Sequence, residues 1–305
     1  MFLNVLSQVA VLLILIALGF TFTKLNMINA AGAKVLTDLV LYAATPCVII
    51  TSFMRPFEKS AARGLLIATV AAVLAHAAFI VLSLLIIKSG DVKRERVLRF
   101  AAIFGNCGFM ALPLQQALLG SEGVFYGSSV VAVFNIFVWS FGIYLMSGDK
   151  SYVKPKALAL SPSIIAILLG IVIFLLSLPV PEIIKSPVNF MAGLNTPLPM
   201  IVIGYHLAKS DILKGLRDKG AVFASFLKLV AYPALALAVM YICGIRGNIL
   251  ISLTIALSSP IAAMTAMFSA KFGNDTPLAA TMVSMSHIIS ILTMPLIIYI
   301  AQLLA

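Results

Sequence analysis

The chain has 305 residues, of which 62% are hydrophobic and only 10% are charged. Soluble domains average about 45–50% apolar and about 25% charged residues, so this composition excludes a soluble globular protein. It indicates a polytopic protein of the lipid bilayer. The net charge of +11 does not indicate nucleic acid as a partner, because most Lys and Arg residues lie in short loops, where they set membrane orientation.

Ten apolar runs are each long enough to cross a bilayer as a helix, which takes about 20 residues. No Lys or Arg precedes the first run, so it lacks the basic start of a secretory signal and is predicted to be a true span. The seventh run is interrupted by Thr196-Pro197-Leu198-Pro199, which predicts a broken or short helix. The runs lie near 3–23, 36–54, 63–87, 97–119, 124–147, 160–178, 190–208, 221–244, 248–270 and 277–304.

The basic residues of the loops are divided unevenly between the two sides of the predicted membrane. With both termini outside, 15 Lys and Arg residues fall on the cytoplasmic side and five fall on the outer side. Cytoplasmic loops carry an excess of Lys and Arg. The distribution therefore predicts a multi-pass protein of the cell membrane, the inner membrane in bacteria, with both termini outside.

The two halves of the chain, residues 1–150 and 151–305, resemble each other weakly. Gly19 in the first run matches Gly170 in the sixth, and Thr45-Pro46 matches Thr196-Pro197 at the same offset of 151. Because each half holds five spans, an odd number, the second half enters the membrane the opposite way up. This predicts an all-α fold of ten transmembrane helices in a 5+5 inverted repeat, an arrangement typical of secondary transporters.

Two spans carry residues that interrupt a helix near mid-membrane. Span four contains Gly105-Asn106-Cys107-Gly108 followed by Pro113, and span nine contains Ser258-Ser259-Pro260. A backbone group freed by a break is very unfavourable in hydrocarbon unless protein or water satisfies it. Broken helices in corresponding positions therefore predict a binding site at the repeat interface. The competing interpretation is a proline kink that serves packing only.

The charge balance at these breaks favours an anion. The second half-helices are predicted to begin near Pro113 and Pro260, so that their positive N-terminal ends and free N–H groups face the same space. The C-terminal ends of the incoming halves would also permit a cation. However, no Asp or Glu lies at the centre of any span, whereas cation pathways are expected to carry intramembrane carboxylates.

Three polar side chains deep in the predicted spans are candidates for contact with a cargo. Asn106, beside the first break, is predicted to bind it. Asn135 fits substrate contact and an interhelical hydrogen bond, worth roughly 0.6–2 kcal/mol, equally well. Lys228 lies seven residues into span eight, about 10 Å at about 1.5 Å per residue. It is predicted mainly to snorkel to the cytoplasmic surface, with a place in the anion pathway as the alternative.

The remaining reactive side chains fit no known catalytic or metal-binding pattern. The three histidines lie on different spans without an i,i+4 partner and are predicted to be packed core residues. The three cysteines show no metal or CxxC spacing and are predicted to be buried free thiols. Enzyme motifs such as GxSxG, HExxH and phosphate-binding loops are absent from the sequence, so no catalysis, cofactor or metal site is predicted. The histidines are His76, His206 and His287, and the cysteines are Cys47, Cys107 and Cys243.

Four segments resemble the auxin efflux carrier family, which contains plant PIN-type exporters and bacterial malonate and malate permeases. The resemblance covers essentially the whole chain. It implies a scaffold, about 1–54 and 160–208, which often forms a homodimer, and a transport domain, about 63–147 and 221–305. The segments are Gly105-Asn106-x-Gly108-Phe109-Met110-x-Leu112-Pro113-Leu114, Asn135-x-x-x-Trp139-x-x-Gly142, Lys228-x-x-x-x-Pro233, and Pro260 followed by Ala270-Lys271-Phe272-Gly273.

The resemblance also implies roles for single residues. Asn106 would contact the substrate, and Pro113 and Pro260 would shape the crossing of the two broken helices. Span nine departs from the family pattern, since many relatives have an amide where this chain has Met264-Thr265. The predicted substrate site consists of Asn106, Cys107, Gly108, Pro113, Asn135, Ser259, Pro260 and Thr265.

The predicted function is a secondary carrier of small organic acid anions, such as malonate or another mono- or dicarboxylate, working by alternating access. The alternative is a sodium-coupled organic-anion symporter of the bile-acid type, which shares the plan of crossed helices. A channel would instead require a continuous pore.

Overall fold

The computed structural model describes residues 2–154, 156, 159–209 and 212–305, and these residues are almost entirely helical. Within them, six helical segments are long and apolar enough to cross a membrane, and two shorter apolar helices, Pro162–Leu175 and Gly247–Leu257, accompany them. The protein is therefore an all-helical membrane protein. The six segments are Ser7–Lys24, Ala30–Phe53, Lys59–Ile86, Cys107–Ser147, Lys219–Ile242 and Thr276–Leu304.

The first half of the chain contains seven α-helices among the described residues. Two π turns, Val40–Ala44 and Val138–Gly142, connect α2 to α3 and α6 to α7 without a loop. Gly120, with φ of 63°, interrupts α6 and forms a kink between its two helical parts. The helices are α1 (Phe2–Lys24), α2 (Ala30–Leu39), α3 (Thr45–Phe53), α4 (Lys59–Ile86), α5 (Val92–Ile103), α6 (Leu112–Phe137) and α7 (Ile143–Ser147), followed by a 3₁₀ turn at Lys150–Tyr152.

The second half contains the remaining helices. The seventh apolar run is broken, as predicted, between Gly193 and Pro197. It begins at Glu182, earlier than predicted, because Glu182 and Lys185 lower the apolarity of the first turns without ending the helix. The helices are α8 (Pro162–Leu175), α9 (Glu182–Gly193), α10 (Pro197–Ala208), α11 (Ile212–Arg217), α12 (Lys219–Phe226), α13 (Tyr232–Ile242), α14 (Gly247–Leu257), α15 (Met264–Phe272) and α16 (Thr276–Leu304).

Short polar side chains at the loop ends begin several of the helices. Asn29 accepts a hydrogen bond from the Gly32 N–H at the start of α2, and Asp91 accepts two at the start of α5. Asp218 and Asp275 cap α12 and α16 in the same way. Each oxygen satisfies an N–H that has no partner within the helix, a contribution of about 1 kcal/mol.

Three prolines inside the helical segments are each preceded by a π turn. The N–H of Thr45, Leu112 and Tyr232, the residues before these prolines, bonds to the carbonyl five residues earlier instead of four. A proline has no N–H and its ring clashes with the carbonyl four residues before it. The wider turn removes this clash and keeps the chain helical, so these prolines do not end their helices. They are Pro46, Pro113 and Pro233.

A close contact between helices is built twice, once in each half. A Cβ on Gly19 of α1 would lie 2.3 Å from the backbone oxygen of Ile201 in α10, beside Gly204. A Cβ on Gly170 of α8 would lie 2.7 Å from the ring of Phe53 in α3. At the offset of 151 that relates Gly19 to Gly170, Phe53 corresponds to Gly204. The matching contacts support an internal repeat.

The helices pack as two groups. The first helix group consists of α1–α3 and α8–α10, in which α1 packs on α10 and α3 packs on α8 and α9. Thr45 also donates a hydrogen bond to Asn195 in this group, at 2.8 Å. The second helix group consists of α4–α7 and α12–α16, with α6 packed on α4 and α14 and with α16 packed on α14 and α15. The two groups meet where α1 and α3 contact α16 and α6.

Candidate functional site

The break between α5 and α6 crosses the break between α14 and α15, and the two are hydrogen-bonded through their backbones. The Asn106 N–H donates to the Pro260 carbonyl at 2.6 Å, and the Ala262 N–H donates to the Phe104 carbonyl at 3.0 Å. The pairing forms a short antiparallel bridge. Backbone groups freed by one break are thus satisfied by the other, as a non-aqueous environment requires.

The helices resume at different residues from those predicted. The helical turn after the first break begins at Cys107, not near Pro113, and α15 begins at Met264, not near Pro260. Pro113 is accommodated within a helix by the π turn Cys107–Ala111. Pro260 lies in the extended segment, where its carbonyl accepts the bond from Asn106.

Lys228 is buried at this crossing. Its side chain is 1% exposed and its Nζ donates to the carbonyl of Leu257, the last residue of α14, at 2.8 Å. It also lies against Gly105, where a Cβ would be 2.6 Å from Nζ. The prediction that Lys228 snorkels is therefore wrong. The partial negative charge at the C-terminus of α14 provides a partner inside the protein.

A small cavity of about 10 Å³ lies beside the crossing, and its lining includes His76, Cys107 and Lys228. It has room for about one water molecule. The Nδ1–H of His76 donates to the Ala72 carbonyl at 2.9 Å, and its ring stacks on Phe137 with centroids 5.8 Å apart. His76 is therefore a packed core residue, as predicted.

A larger cavity of about 240 Å³ lies between the two helix groups. The first group contributes side chains of α2 and α10, and the second contributes Asn106 and side chains of α15 and α16. Among the described residues, no Asp, Glu, Lys or Arg lines this cavity. Its lining consists of Thr37, Asn106, Phe109, Val202, Ile203, His206, Leu207, Ala263, Ala266, Met267, Val283, Ser284 and His287.

Asn106 and His287 are joined inside this cavity, with 3.2 Å between Nδ2 and Nε2. The other ring nitrogen of His287, Nδ1, lies 2.7 Å from the Val283 carbonyl. A carbonyl oxygen only accepts, so Nδ1 carries the hydrogen and Nε2 of the neutral ring is the acceptor. The amide of Asn106 therefore donates to His287. Asn106 is 8% exposed and His287 is 4% exposed.

Of the eight predicted site residues, only Asn106 lines the larger cavity. Asn135 lies elsewhere, and its Nδ2 donates at 2.8 Å to the Val131 carbonyl of its own helix, a bond that neither of its two predicted roles includes. Ser259 donates to the Ala256 carbonyl at 2.7 Å. The Thr265 hydroxyl is buried without a hydrogen-bond partner among the described residues.

Cys107 and Gly108 lie next to the crossing in different surroundings. Cys107 is buried beside the small cavity, whereas a Cβ on Gly108 would meet no atom within 4 Å. All three cysteines are free thiols, as predicted. Cys47 is half-buried and Cys243, near the end of α13, is exposed, so the prediction of burial holds for Cys107 alone.

Two residues of the cavity were missed by sequence reasoning. His206 and His287 were both assigned to the core, but they line the cavity from opposite helix groups. The partner of His287, Asn106, is 181 residues away in the chain, so no local spacing marks the pair. The one sequence feature that predicted a site here was the position of Asn106 beside a helix break.

Comparison with known proteins identifies the family. The sequence profile of the family described as "Membrane transport protein" matches residues 4–158 and 151–298. The chain belongs to the auxin efflux carrier family. The two matched segments meet near residue 150, where the sequence divides into similar halves.

Two relatives extend the likeness of this auxin efflux carrier family member over nearly its whole length. One is an uncharacterized transporter of Methanothermobacter thermautotrophicus, 26% identical, with 97% of this chain and 98% of the relative covered. Another is an uncharacterized transporter of Methanocaldococcus jannaschii, 24% identical, with 95% and 97% covered. The protein is a multi-pass membrane transporter, not an enzyme.

Proposed function

We propose that this protein is a secondary carrier that moves small organic acid anions across the plasma membrane by alternating access. The observation that carries the proposal is the position of Asn106, which lies where two interrupted helices cross and also lines a cavity between two helix groups. Interrupted helices at a repeat interface form the substrate sites of many secondary transporters.

The proposal includes ten membrane crossings in two inverted sets of five. In the first half, α1 and α4 each form one crossing, α2 and α3 together form one, α5 and the first part of α6 form one, and the rest of α6 and α7 form one. In the second half, α8 and α16 each form one crossing, and the pairs α9 and α10, α12 and α13, and α14 and α15 form one crossing each. The 15-to-5 division of basic loop residues supports both termini outside. In this orientation the larger cavity lies on the cytoplasmic side of the crossing, which corresponds to an inward-facing state.

The first helix group would act as the scaffold and the second as the transport domain. The cavity lies at their interface, so movement of one group against the other would open it first to one side and then to the other. A homodimer through the first helix group is the expected assembly. Measuring the mass of the purified protein in detergent tests this, and a monomer would contradict it.

The position of Lys228 favours an anion carrier without sodium over the sodium-coupled alternative. Half-helix C-termini and unwound carbonyls are the groups that coordinate sodium in carriers with interrupted helices. Here the ammonium of Lys228 bonds to the C-terminal carbonyl of α14. A positive charge at this point would repel sodium.

The lining of the cavity favours a monocarboxylate with a small apolar body. One carboxylate can accept hydrogen bonds from Asn106, while Val202, Ile203 and Met267 offer apolar contact. A second carboxylate would find no Lys or Arg among the described lining residues, and burial of an unpaired charge is strongly unfavourable. We therefore infer that monocarboxylates bind more tightly than malonate or malate.

A thermal-shift screen of the purified protein tests the substrate class. Acetate, isobutyrate and phenylacetate are compared with malonate and malate, because a ligand at 100 times its Kd stabilises the folded state by about 2.7 kcal/mol. We expect a monocarboxylate to raise the melting temperature most. Uptake of that acid into proteoliposomes should be the same in sodium and in N-methylglucamine. No stabilisation by any acid would contradict the proposed function, and sodium-dependent uptake would favour the symporter.

A further inference from the structure

The second polar group of the cavity is His287, which the proposed function leaves without a role. We propose that His287 contacts the substrate together with Asn106 and takes up one proton with each carboxylate, so that the protein carries an anion and a proton together. This inference rests on the proposed function and adds the coupling ion.

The hydrogen bonds of His287 define where a proton can add. His287 Nδ1 already carries a hydrogen, which it donates to Val283, 2.7 Å away. The lone pair of Nε2 is therefore the one basic position on the ring, and it accepts the bond from Asn106 at 3.2 Å. In the neutral state the two side chains satisfy each other, and the site offers the cavity no cation.

Protonation at Nε2 changes this pair from donor and acceptor to two donors. Two N–H groups 3.2 Å apart repel each other. The Asn106 amide loses its acceptor, and the new N–H of His287 points at another donor. A carboxylate supplies two oxygens, one for each N–H, and its charge favours the protonated ring. Proton and carboxylate therefore stabilise each other's binding, which is reciprocal coupling between two ligands.

The charges around the cavity agree with this arrangement. The other titratable residue in the described lining is His206, which lies on α10 in the first helix group. Lys228, on the turn between α12 and α13, lines the small cavity with His76 and Cys107 and does not line the larger one. Since no other cation among the described residues lines the larger cavity, a bound carboxylate gains its full counter-charge only from a protonated imidazole.

The proton balance is simple, because no covalent bond of the substrate changes. The proton comes from water on the side where the carboxylate enters, adds to Nε2, and returns to water on the other side when the carboxylate leaves. One proton and one monocarboxylate together carry no net charge. The loaded site is therefore electrically neutral, which lowers the cost of enclosing it within the membrane.

The first test measures the affinity of purified protein for acetate, isobutyrate and phenylacetate between pH 6 and pH 8, where all three acids are ionised. At pH values where His287 is neutral before the carboxylate binds, Kd should rise by about tenfold for each pH unit, since one proton is bound with each anion. His287→Gln should remove this dependence. His206→Gln, which changes the imidazole on the opposite wall, should keep it.

The second test measures uptake by wild-type protein in proteoliposomes across an imposed potassium diffusion potential. Coupled transport should follow a pH gradient and be insensitive to the potential. Binding without pH dependence, or uptake driven by the potential, would overturn the proton coupling while leaving the carrier function intact. Failure of every acid to bind would instead contradict the proposed function. Both wild-type measurements decide the question even if His287→Gln does not fold.

Discussion

Lys228 and Leu257 are joined by a hydrogen bond of 2.8 Å between Nζ and the carbonyl oxygen at the end of α14. The last four carbonyls of a helix have no partner within that helix, and here the helix ends inside the protein at a crossing of two breaks. The lysine thus satisfies a buried carbonyl and compensates the negative end of the helix dipole.

Replacement of Lys228 should therefore destabilise the fold. Lys228→Met leaves the Leu257 carbonyl without its donor, which costs about 1–3 kcal/mol, whereas Lys228→Gln keeps an N–H donor and should lose less. Thermal denaturation in detergent compares the two variants. Equal stability of Lys228→Met and wild type would show that the hydrogen bond has no structural role.

Two glycines beside the break provide a matched pair of variants. A Cβ on Gly105 would lie 2.5 Å from Ser259 Oγ and 2.6 Å from Lys228 Nζ, whereas one on Gly108 would meet nothing within 4 Å. Gly105→Ala should cost about 1–3 kcal/mol through overpacking, and Gly108→Ala should change the stability by about 0.5 kcal/mol or less. The melting temperatures of both variants test this. Similar losses in the two would argue against the close packing at Gly105.

The ion pair of Asp218 with Arg94 should make the stability sensitive to acid. Burial raises the pKa of Asp218, but the Arg94 guanidinium and the Ala221 N–H lower it by more, so the net pKa lies below its ordinary value. A carboxyl with a lowered pKa contributes stability above its unfolded pKa, about 3.9, and this contribution is lost as pH falls through the folded pKa.

Two substitutions at Asp218 separate the charge from the cap. At pH 7, Asp218→Asn should cost up to about 1 kcal/mol, because the pair is partly exposed to solvent, and Asp218→Ala should cost about 1 kcal/mol more, because the cap is also lost. Unfolding experiments at pH 7 and near pH 3 measure the stability losses of both variants. The difference between wild type and Asp218→Asn should shrink in acid, and a difference that stays constant would contradict the assignment.

The orientation is tested by thiol accessibility in a background in which Cys47 and Cys243 are replaced by Ser. Ser121→Cys, at the turn after Gly120, should react with an impermeant maleimide applied to intact cells, because that turn is predicted to lie outside. Lys154→Cys, in a basic loop, should react only after the cells are opened. The reverse pattern would place both termini inside.

The helical membrane fold could be predicted from the sequence because a span must be continuously apolar, and the described residues form six helical segments long and apolar enough to cross a membrane. The breaks could be predicted because Gly105 and Pro260 weaken a helix locally. The residues at which the helices resume could not, since the π turn before Pro113 relieves the proline clash without ending the helix.

The site was predicted less well than the helices, because its contacts are long-range. The burial of Lys228 depends on the carbonyl of Leu257, 29 residues away, and an apolar helix with a lysine gives no sign of such a partner. His287 was missed for the same reason. For Asn135 the sequence left substrate contact and an interhelical bond open, but an asparagine in a helix can also bond to its own backbone, as it does to Val131.

Binding of a carboxylate by Asn106 is the central claim, and the affinity of Asn106 variants tests it most directly. For the monocarboxylate that stabilises wild type most, isothermal titration of folded, purified protein is compared between wild type, Asn106→Ala, Asn106→Asp and Asn135→Ala. A hydrogen bond to a charged group is worth about 1.5–3 kcal/mol, so Asn106→Ala should weaken binding by roughly 10- to 150-fold.

Asn106→Asp should bind still more weakly, because its carboxylate repels the anion and lacks both N–H donors. Asn135→Ala should bind like wild type, since Asn135 does not line the cavity. Unchanged affinity in both Asn106 variants would contradict the account and place the anion site away from the crossing.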